Sequence, residues 1–313
     1  MTTSDKLQIG HNEATGTLAQ SGGIVNVQNE VFIGNETSAA SIGTYTLSGT
    51  AELSVGNEVI VGRDNGTGTF NLDGGTVIAT KISGGTGTST VNFNGGVFRA
   101  KRDEASLIEN LGTALVESGG ITIDSNGFTV ATSQPLSGAG GLTKLGAGSL
   151  TLSGVNTYAG GTVVEAGVLD IAADFTMAGA NGFTMAGAPS PSAGSDYGAV
   201  VASAGTLTYG GDLALTLSGT ASAGASYDLF SFSGGSQAGS FANVVVGGSY
   251  TSTMTNAGGV WTGSDGGLNF SFTESTGQFA VSAVPEPATL GLAAIAAAAL
   301  AVRFPWRKVA RKA

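Results

Sequence analysis

The residues able to do chemistry in this chain are few and scattered. His11 is the single imidazole, set beside Asn12 and Glu13, and there is no Cys. A zinc centre draws on several His, Cys or acidic ligands, and a thiol nucleophile needs a Cys. His11 therefore reads as a surface residue. No Gly-x-Ser-x-Gly elbow occurs, and no Gly-x4-Gly-Lys-Ser/Thr loop. The string Gly84-Gly85-Thr86-Gly87-Thr88 resembles a phosphate loop in composition alone, since Gly-rich turns produce such strings freely. Asp64-Asn65-Gly66 and Asp73-Gly74-Gly75 offer oxygen donors to calcium at turns, without the spacing of a calcium nonapeptide. Lys101-Arg102-Asp103-Glu104 is the dense charge cluster of the body and reads as a solvated loop, followed by a weak helical look from Ala105 to Leu115. The expectation is thus no catalytic residues, no cofactor and no metal, with calcium at turns kept as an alternative.

The elements around these residues are repetitive. A phrase of the form Gly/Ser-Thr-apolar recurs at Gly16-Thr17-Leu18, Gly43-Thr44-Tyr45, Gly68-Thr69-Phe70 and Ser89-Thr90-Val91. A second phrase is interleaved at Phe32-Ile33-Gly34-Asn35-Glu36, Leu53-Ser54-Val55-Gly56-Asn57-Glu58 and Ile60-Val61-Gly62-Arg63-Asp64. The Thr markers are 27, 25 and 21 residues apart, a period that means stacked coils. Each phrase alternates apolar and polar residues and closes on Gly, which is a short strand with one buried face. The predicted fold class is all-β: a parallel β-helix, or β-solenoid, body with a C-terminal β cap, followed by one short C-terminal transmembrane helix. A sandwich or meander is the alternative, and would favour two-residue hairpins. Further strands are expected at Leu213 to Leu217, Tyr227 to Phe232, Phe241 to Val246, Gly259 to Thr262 and Leu268 to Phe272, with a flexible joint at Pro189 to Gly194 and a Phe- and Tyr-rich cap over the end of the core.

Composition supports an exported, core-forming body. Gly makes up 53 of 313 residues and Pro only 6, so the chain is neither collagen-like nor a Pro-rich linker. Hydrophobic residues at 41% with charged residues at 11% allow a buried core. Before Val284 there are 7 basic and 21 acidic residues, and no Lys or Arg lies between Phe175 and Ala283. Such a surface repels nucleic acid and anionic lipid, and its acid excess serves solubility.

The tail has the opposite balance. Val284-Pro285-Glu286-Pro287 is followed by an uncharged run, Ala288 to Val302, and by Arg303, Arg307, Lys308, Arg311 and Lys312. Fifteen helical residues span about 23 Å, short of a bilayer core of about 30 Å. Phe304 and Trp306 extend the element to 288–306, and the basic end keeps the C-terminus cytoplasmic. In this order of parts the tail resembles the PEP-CTERM sorting signal of bacterial exported proteins. That resemblance implies recognition by an exosortase, cleavage near Pro285 to Pro287, transient anchoring in the inner membrane, and release toward the cell surface, outer envelope or an exopolysaccharide matrix. Met1 to Gly10 lacks the basic and apolar regions of a secretory signal, so the expectation is that the start lies inside a longer gene product.

Residues 136–171 carry a second resemblance. Gly140-Gly141-Leu142-Thr143-Lys144-Leu145-Gly146, then Gly148-Ser149-Leu150-Thr151-Leu152-Ser153-Gly154, then Asn156-Thr157-Tyr158-Ala159-Gly160-Gly161-Thr162, is similar to the autotransporter-associated β-strand repeat. Passenger-like coils are implied; self-translocation is not, because a single helix rather than barrel strands follows. From the residues themselves, Leu142, Leu145, Leu150 and Leu152 are expected inside a coil, the glycines at its turns, Asn156 in an inward ladder or capping a turn, and Tyr158 at the coil edge. The expected division is 1–133 (solenoid repeats), 134–172 (the passenger-like repeat), 173–283 (further coils, cap and stem) and 284–313 (sorting tail). The function read from this is an exported, non-catalytic structural or adhesive surface or matrix protein, with an exosortase-type enzyme, the membrane and surface polysaccharide as partners and no nucleic acid. The alternative is a β-helix carbohydrate-active enzyme, a polysaccharide lyase or glycoside hydrolase, displayed by the same tail.

Overall fold

The computed structural model describes residues 2–3, 5–36, 41–187 and 191–285, and these are all-β, with strands and turns and no helix. The expected transmembrane helix at 288–306 lies outside the described residues, as do Glu286, Pro287 and the five basic residues of the tail. Among the described residues no helix is long and apolar enough to cross a membrane.

Up to residue 248, apart from Ser226–Asp228, the pairings between successive coils are parallel. Each strand pairs with its equivalent about one coil later, which gives a solenoid-like stack. The Thr markers fall in one register: Thr17 pairs with Thr44, Thr44 with Thr69, Thr69 with Thr90 and Thr90 with Thr113. The interleaved phrase splits between two sheets. Phe32 and Ile33 pair with Ile60 and Val61, while Leu53 pairs with Val25 and Val77.

Alternation decides what each coil buries. In the strands Thr15–Gln20, Ile42–Val55, Thr67–Ala79, Thr88–Phe93 and Thr113–Val116, the in-register row Leu18, Tyr45, Phe70, Val91, Ala114 points inward. Neighbouring coils are about 4.8 Å apart, so like side chains stack directly. Tyr45 and Phe70, for example, have ring centroids 5.6 Å apart. Burying each such side chain stabilises by roughly 1.5–3 kcal/mol. The polar positions form outer rows, in which Asn71 Nδ2 donates to Thr46 Oγ1 at 3.2 Å and Asn92 Nδ2 to Asn71 Oδ1 at 2.8 Å.

Coil length is not constant. Ser137 pairs with Thr157, a coil of 20 residues, whereas Phe175 pairs with Leu207, a coil of 32. After Asn243–Gly248 the pattern changes again to an antiparallel sheet of Ser226–Asp228, Gln278–Ala283, Leu268–Thr273, Val260–Asp265 and Thr255–Ala257. Phe230, Phe241 and Phe272 join the two parts through ring contacts of 6.0 and 6.1 Å.

One expectation is corrected here, and a second lies partly beyond the described residues. Ala105 to Leu115 is not helical: it is a turn followed by Ile108–Glu109 and the start of Thr113–Val116, because Ile108 must pair with Ile82 and Ala114 with Val91. The expected flexible joint falls partly outside the described residues. Its described part, 191–194, is tied down by Gly194 N donating to Tyr197 O at 2.7 Å and by an antiparallel bridge between Gly167 and Gly194.

Candidate functional site

The motifs with possible chemistry take these places in the fold. His11 ends the strand Leu7–His11, half-buried and in register with Asn35. In the phosphate-loop-like string, Gly85 N donates to Val61 O, Gly87 N to Gly62 O and Thr88 N to Gly66 O. Those amides are taken by the preceding coil, so they cannot cradle a phosphate. The charge cluster is a corner: Lys101 Nζ donates to Val55 O at 2.9 Å, and Asp103 Oδ1 accepts from Thr129 N at 2.8 Å. Arg102 and Glu104 meet at 3.9 Å, on a surface where such a pair contributes about 0–1 kcal/mol. Among the described residues no group of three His, Asp or Glu could hold a metal. Asp64 carries positive φ at a turn and its carbonyl accepts from Thr86 Oγ1, while Asp73 is exposed.

Among the described residues, Lys144 in the passenger-like segment is the buried cation. Strand Leu142–Leu145 alternates from Leu142, so Lys144 points inward at 0% exposure and Leu145 outward and half-buried. This corrects the expectation that Leu145 lies inside, since residues three apart cannot share a face of a strand. Lys144 Nζ donates to three carbonyls, Leu145 O at 3.0 Å, Gly146 O at 2.7 Å and Ala166 O at 3.1 Å. Burial pushes the ammonium down to about 8, and the nearby Asp124 carboxylate acts in the opposite sense. Asp124, itself buried, is held by Arg99 Nε at 2.8 Å and by Asn126 N at 2.8 Å. Gly167 has φ +72°, and a Cβ there would run into Gly148 O and stand 2.6 Å from Gly146 O and 2.7 Å from Lys144 Nζ, so the close backbone at this corner requires glycine.

Asn156 serves as a turn clamp. Its Oδ1 accepts from Leu136 N at 2.9 Å and its Nδ2 donates to Gly154 O at 2.9 Å. Asn181 repeats the device, accepting from Thr162 N at 2.9 Å. Tyr158 packs inside against Phe175, ring centroids 5.3 Å apart, and its hydroxyl meets Thr162 Oγ1 at 2.8 Å. Beside this repeat lies a groove of ≈ 510 Å³ between Val155–Ala159 and residues 174–178, 206 and 208, which sequence reasoning did not find.

At the other end of the chain, Gln278–Ala283 is the last strand, and Val284 N donates to Gly267 O at 3.0 Å. Val284 and Pro285 are exposed where the chain leaves the antiparallel sheet.

Two families match this chain. Residues 142–171 match the Passenger-associated-transport-repeat, and residues 283–308 match the PEP-CTERM protein-sorting motif. Over 95 residues the chain is 37% identical to the Adhesin BmaC autotransporter of Brucella suis biovar 1 (strain 1330). The aligned part is 30% of this chain and 3% of that much longer relative. No solved structure matches. Both resemblances carried by the sequence are thereby shown, and together they mark an exported, surface-displayed protein that bears a sorting motif and a passenger repeat.

Proposed function

We propose that this protein is a non-catalytic structural or adhesive component of the cell surface or extracellular matrix, a β-helix whose tail is cut by an exosortase-type enzyme. The observation that carries the reading is the position of the sorting motif, which begins at Ala283, the final residue of the last strand. Cleavage near Pro285 to Pro287 would remove the tail without breaking any strand pair, because the last described backbone bond is that of Val284. Before cleavage, the segment 288–306 holds the chain in the inner membrane with Arg303, Arg307, Lys308, Arg311 and Lys312 on the cytoplasmic side. The adhesive role is supported by the passenger repeat and by partial identity with an adhesin, and by the use of the chemically capable residues at corners. The divisions near 133, 172 and 283 belong to the same proposal.

The test is the mass and fractionation of the mature protein from native cells, beside a variant with Pro285, Glu286 and Pro287 changed to Ala. The expected result is a wild-type body that loses its tail and leaves the membrane while the variant stays anchored. Equal retention of the full tail by both would overturn the processing step.

A further inference from the structure

The wall of the stack steps where the coils lengthen from 20 to 32 residues. The ladder Leu115, Ser137, Thr157 stops at that point. The next equivalent strand, Phe175–Thr176, pairs forward with Leu207–Thr208, and among the described residues no pairing joins it back to Thr157–Tyr158. Tyr158 and Phe175 still pack together inside, so the two walls share a floor while their outer faces diverge. The result is the groove of ≈ 510 Å³, a volume within the usual range of about 300–1,000 Å³ for small-ligand sites.

Its lining has a consistent chemistry. Thr157, Asp174 and Thr176 are exposed, Thr206 and Thr208 are half-buried, and Val155 at the rim is 62% exposed. Asp174 Oδ1 accepts from Thr206 N at 2.8 Å, which leaves its Oδ2 free. The hydroxyls of Thr157, Thr176 and Thr208 bond no described residue. No base lines the groove, and none occurs from Phe175 to Ala283.

We propose that this step is a binding groove for a neutral saccharide chain. This rests on the adhesive reading of the body and names what one part of it would hold. Sugar rings present hydroxyls that both donate and accept, around an apolar C–H face. A carboxylate oxygen and three unpaired threonine hydroxyls suit the first, and Val155 with the methyls of Ala159 and Ala178 suits the second. Uronate polymers and nucleic acids are disfavoured by Asp174 and by the acidic body, which offers no cation nearby. Glycoside hydrolysis needs two carboxyl groups about 5–9.5 Å apart, and the groove supplies one, so the site binds without cutting.

The experiment is titration of the purified full-length chain, by calorimetry and saturation-transfer NMR, with cellotetraose, maltotetraose, mannotetraose and tetragalacturonate. Asp174→Asn keeps the acceptor for Thr206 N, and Thr176→Val with Thr208→Val favours the strand, so these variants retain the fold. Thr69→Val, on the outer row of a distant coil, is the control. The expected result is millimolar or tighter binding of at least one neutral tetrasaccharide. The groove variants should weaken it about tenfold or more, a loss of about 1.4 kcal/mol, and the control should leave it unchanged. Failure of every neutral tetrasaccharide to bind, equal binding by the variants, or equal or tighter binding of tetragalacturonate would overturn the proposal. Binding is read on purified protein and processing on cells, so failure of one does not imitate failure of the other.

Discussion

Replacing Lys144 by Met should change stability in a way that depends on pH. The side chain is fully buried, and its burial lowers the ammonium from its ordinary 10.5 to about 8. Below pH 8 both the folded and the unfolded chain hold this proton, so folding bears the whole cost of burying the charge. Between pH 8 and 10.5 the folded chain sheds the proton first, the unfolded chain binds more protons, and stability rises with pH. Above 10.5 the group is neutral in both states. At about 1.4 kcal/mol per pH unit, this interval is worth about 3 kcal/mol. Lys144→Met removes the charge and the three carbonyl bonds together. Leu145 O keeps Ser125 N as a donor, whereas the single Ser125 hydroxyl proton goes to Ala147 O, so the loss falls on Gly146 O and Ala166 O, a penalty of about 1–3 kcal/mol for each. At pH 7 that penalty and the relief of charge burial largely offset each other, and the two proteins should lie within about 3 kcal/mol. By pH 10.5 the wild type should have gained about 3 kcal/mol on the variant. Urea unfolding of both proteins from pH 7 to 10.5 measures this, because subtracting the variant cancels every other titrating group. A difference that stays flat or shrinks with rising pH would refute the reasoning and show that the carbonyls hold the ammonium at its ordinary value.

Two further outcomes follow from buried groups elsewhere. Burial raises the hydroxyls of Tyr45, Tyr158 and Tyr209, so the folded chain keeps protons that the unfolded chain loses from pH 10 upward. Stability from these groups is complete below pH 10 and declines above it, and the absorbance of ionised tyrosine should appear together with unfolding rather than before it. Glu274 Oε1 accepts from Ser240 Oγ at 2.7 Å, Phe241 N at 3.1 Å and Trp261 Nε1 at 2.9 Å. Glu274→Leu leaves these donors unpaired, should destabilise the antiparallel sheet by about 2–4 kcal/mol, and should be seen as early exposure of Trp261 in fluorescence-monitored unfolding.

The stack was legible in the sequence where the chain states its register twice, in composition and in period. Thr17, Thr44, Thr69 and Thr90 share a residue type, a flanking small residue and a following apolar residue, and they are register partners. Leu145 is expected inside on hydrophobicity alone, which conflicts with the two-residue period of a strand. Counting alternately from Leu142 puts Lys144 inside, and the nearby Gly146 and Gly167 are the signal that its ammonium has backbone for company. The helical look of Ala105 to Leu115 came from spacing alone, whereas the demand of Ile82 and Val91 for partners decided the outcome. The groove could not be read from any motif. It arises from a change in coil length, which becomes visible once Thr157 and Phe175 are seen to pair with different neighbours.

The antiparallel sheet has a mechanical consequence. If the tail holds the chain in the membrane as proposed, any drag on the body would enter through Val284 and the strand Gln278–Ala283. That strand lies between Leu268–Thr273 and Ser226–Asp228, with six register pairs on one side and three on the other. Tension from such a tether would have to shear two ladders at once before the parallel coils felt it, so the sheet would act as a load-bearing clasp. The proposed cleavage would remove that load path and leave the clasp as a stopper at the end of the stack.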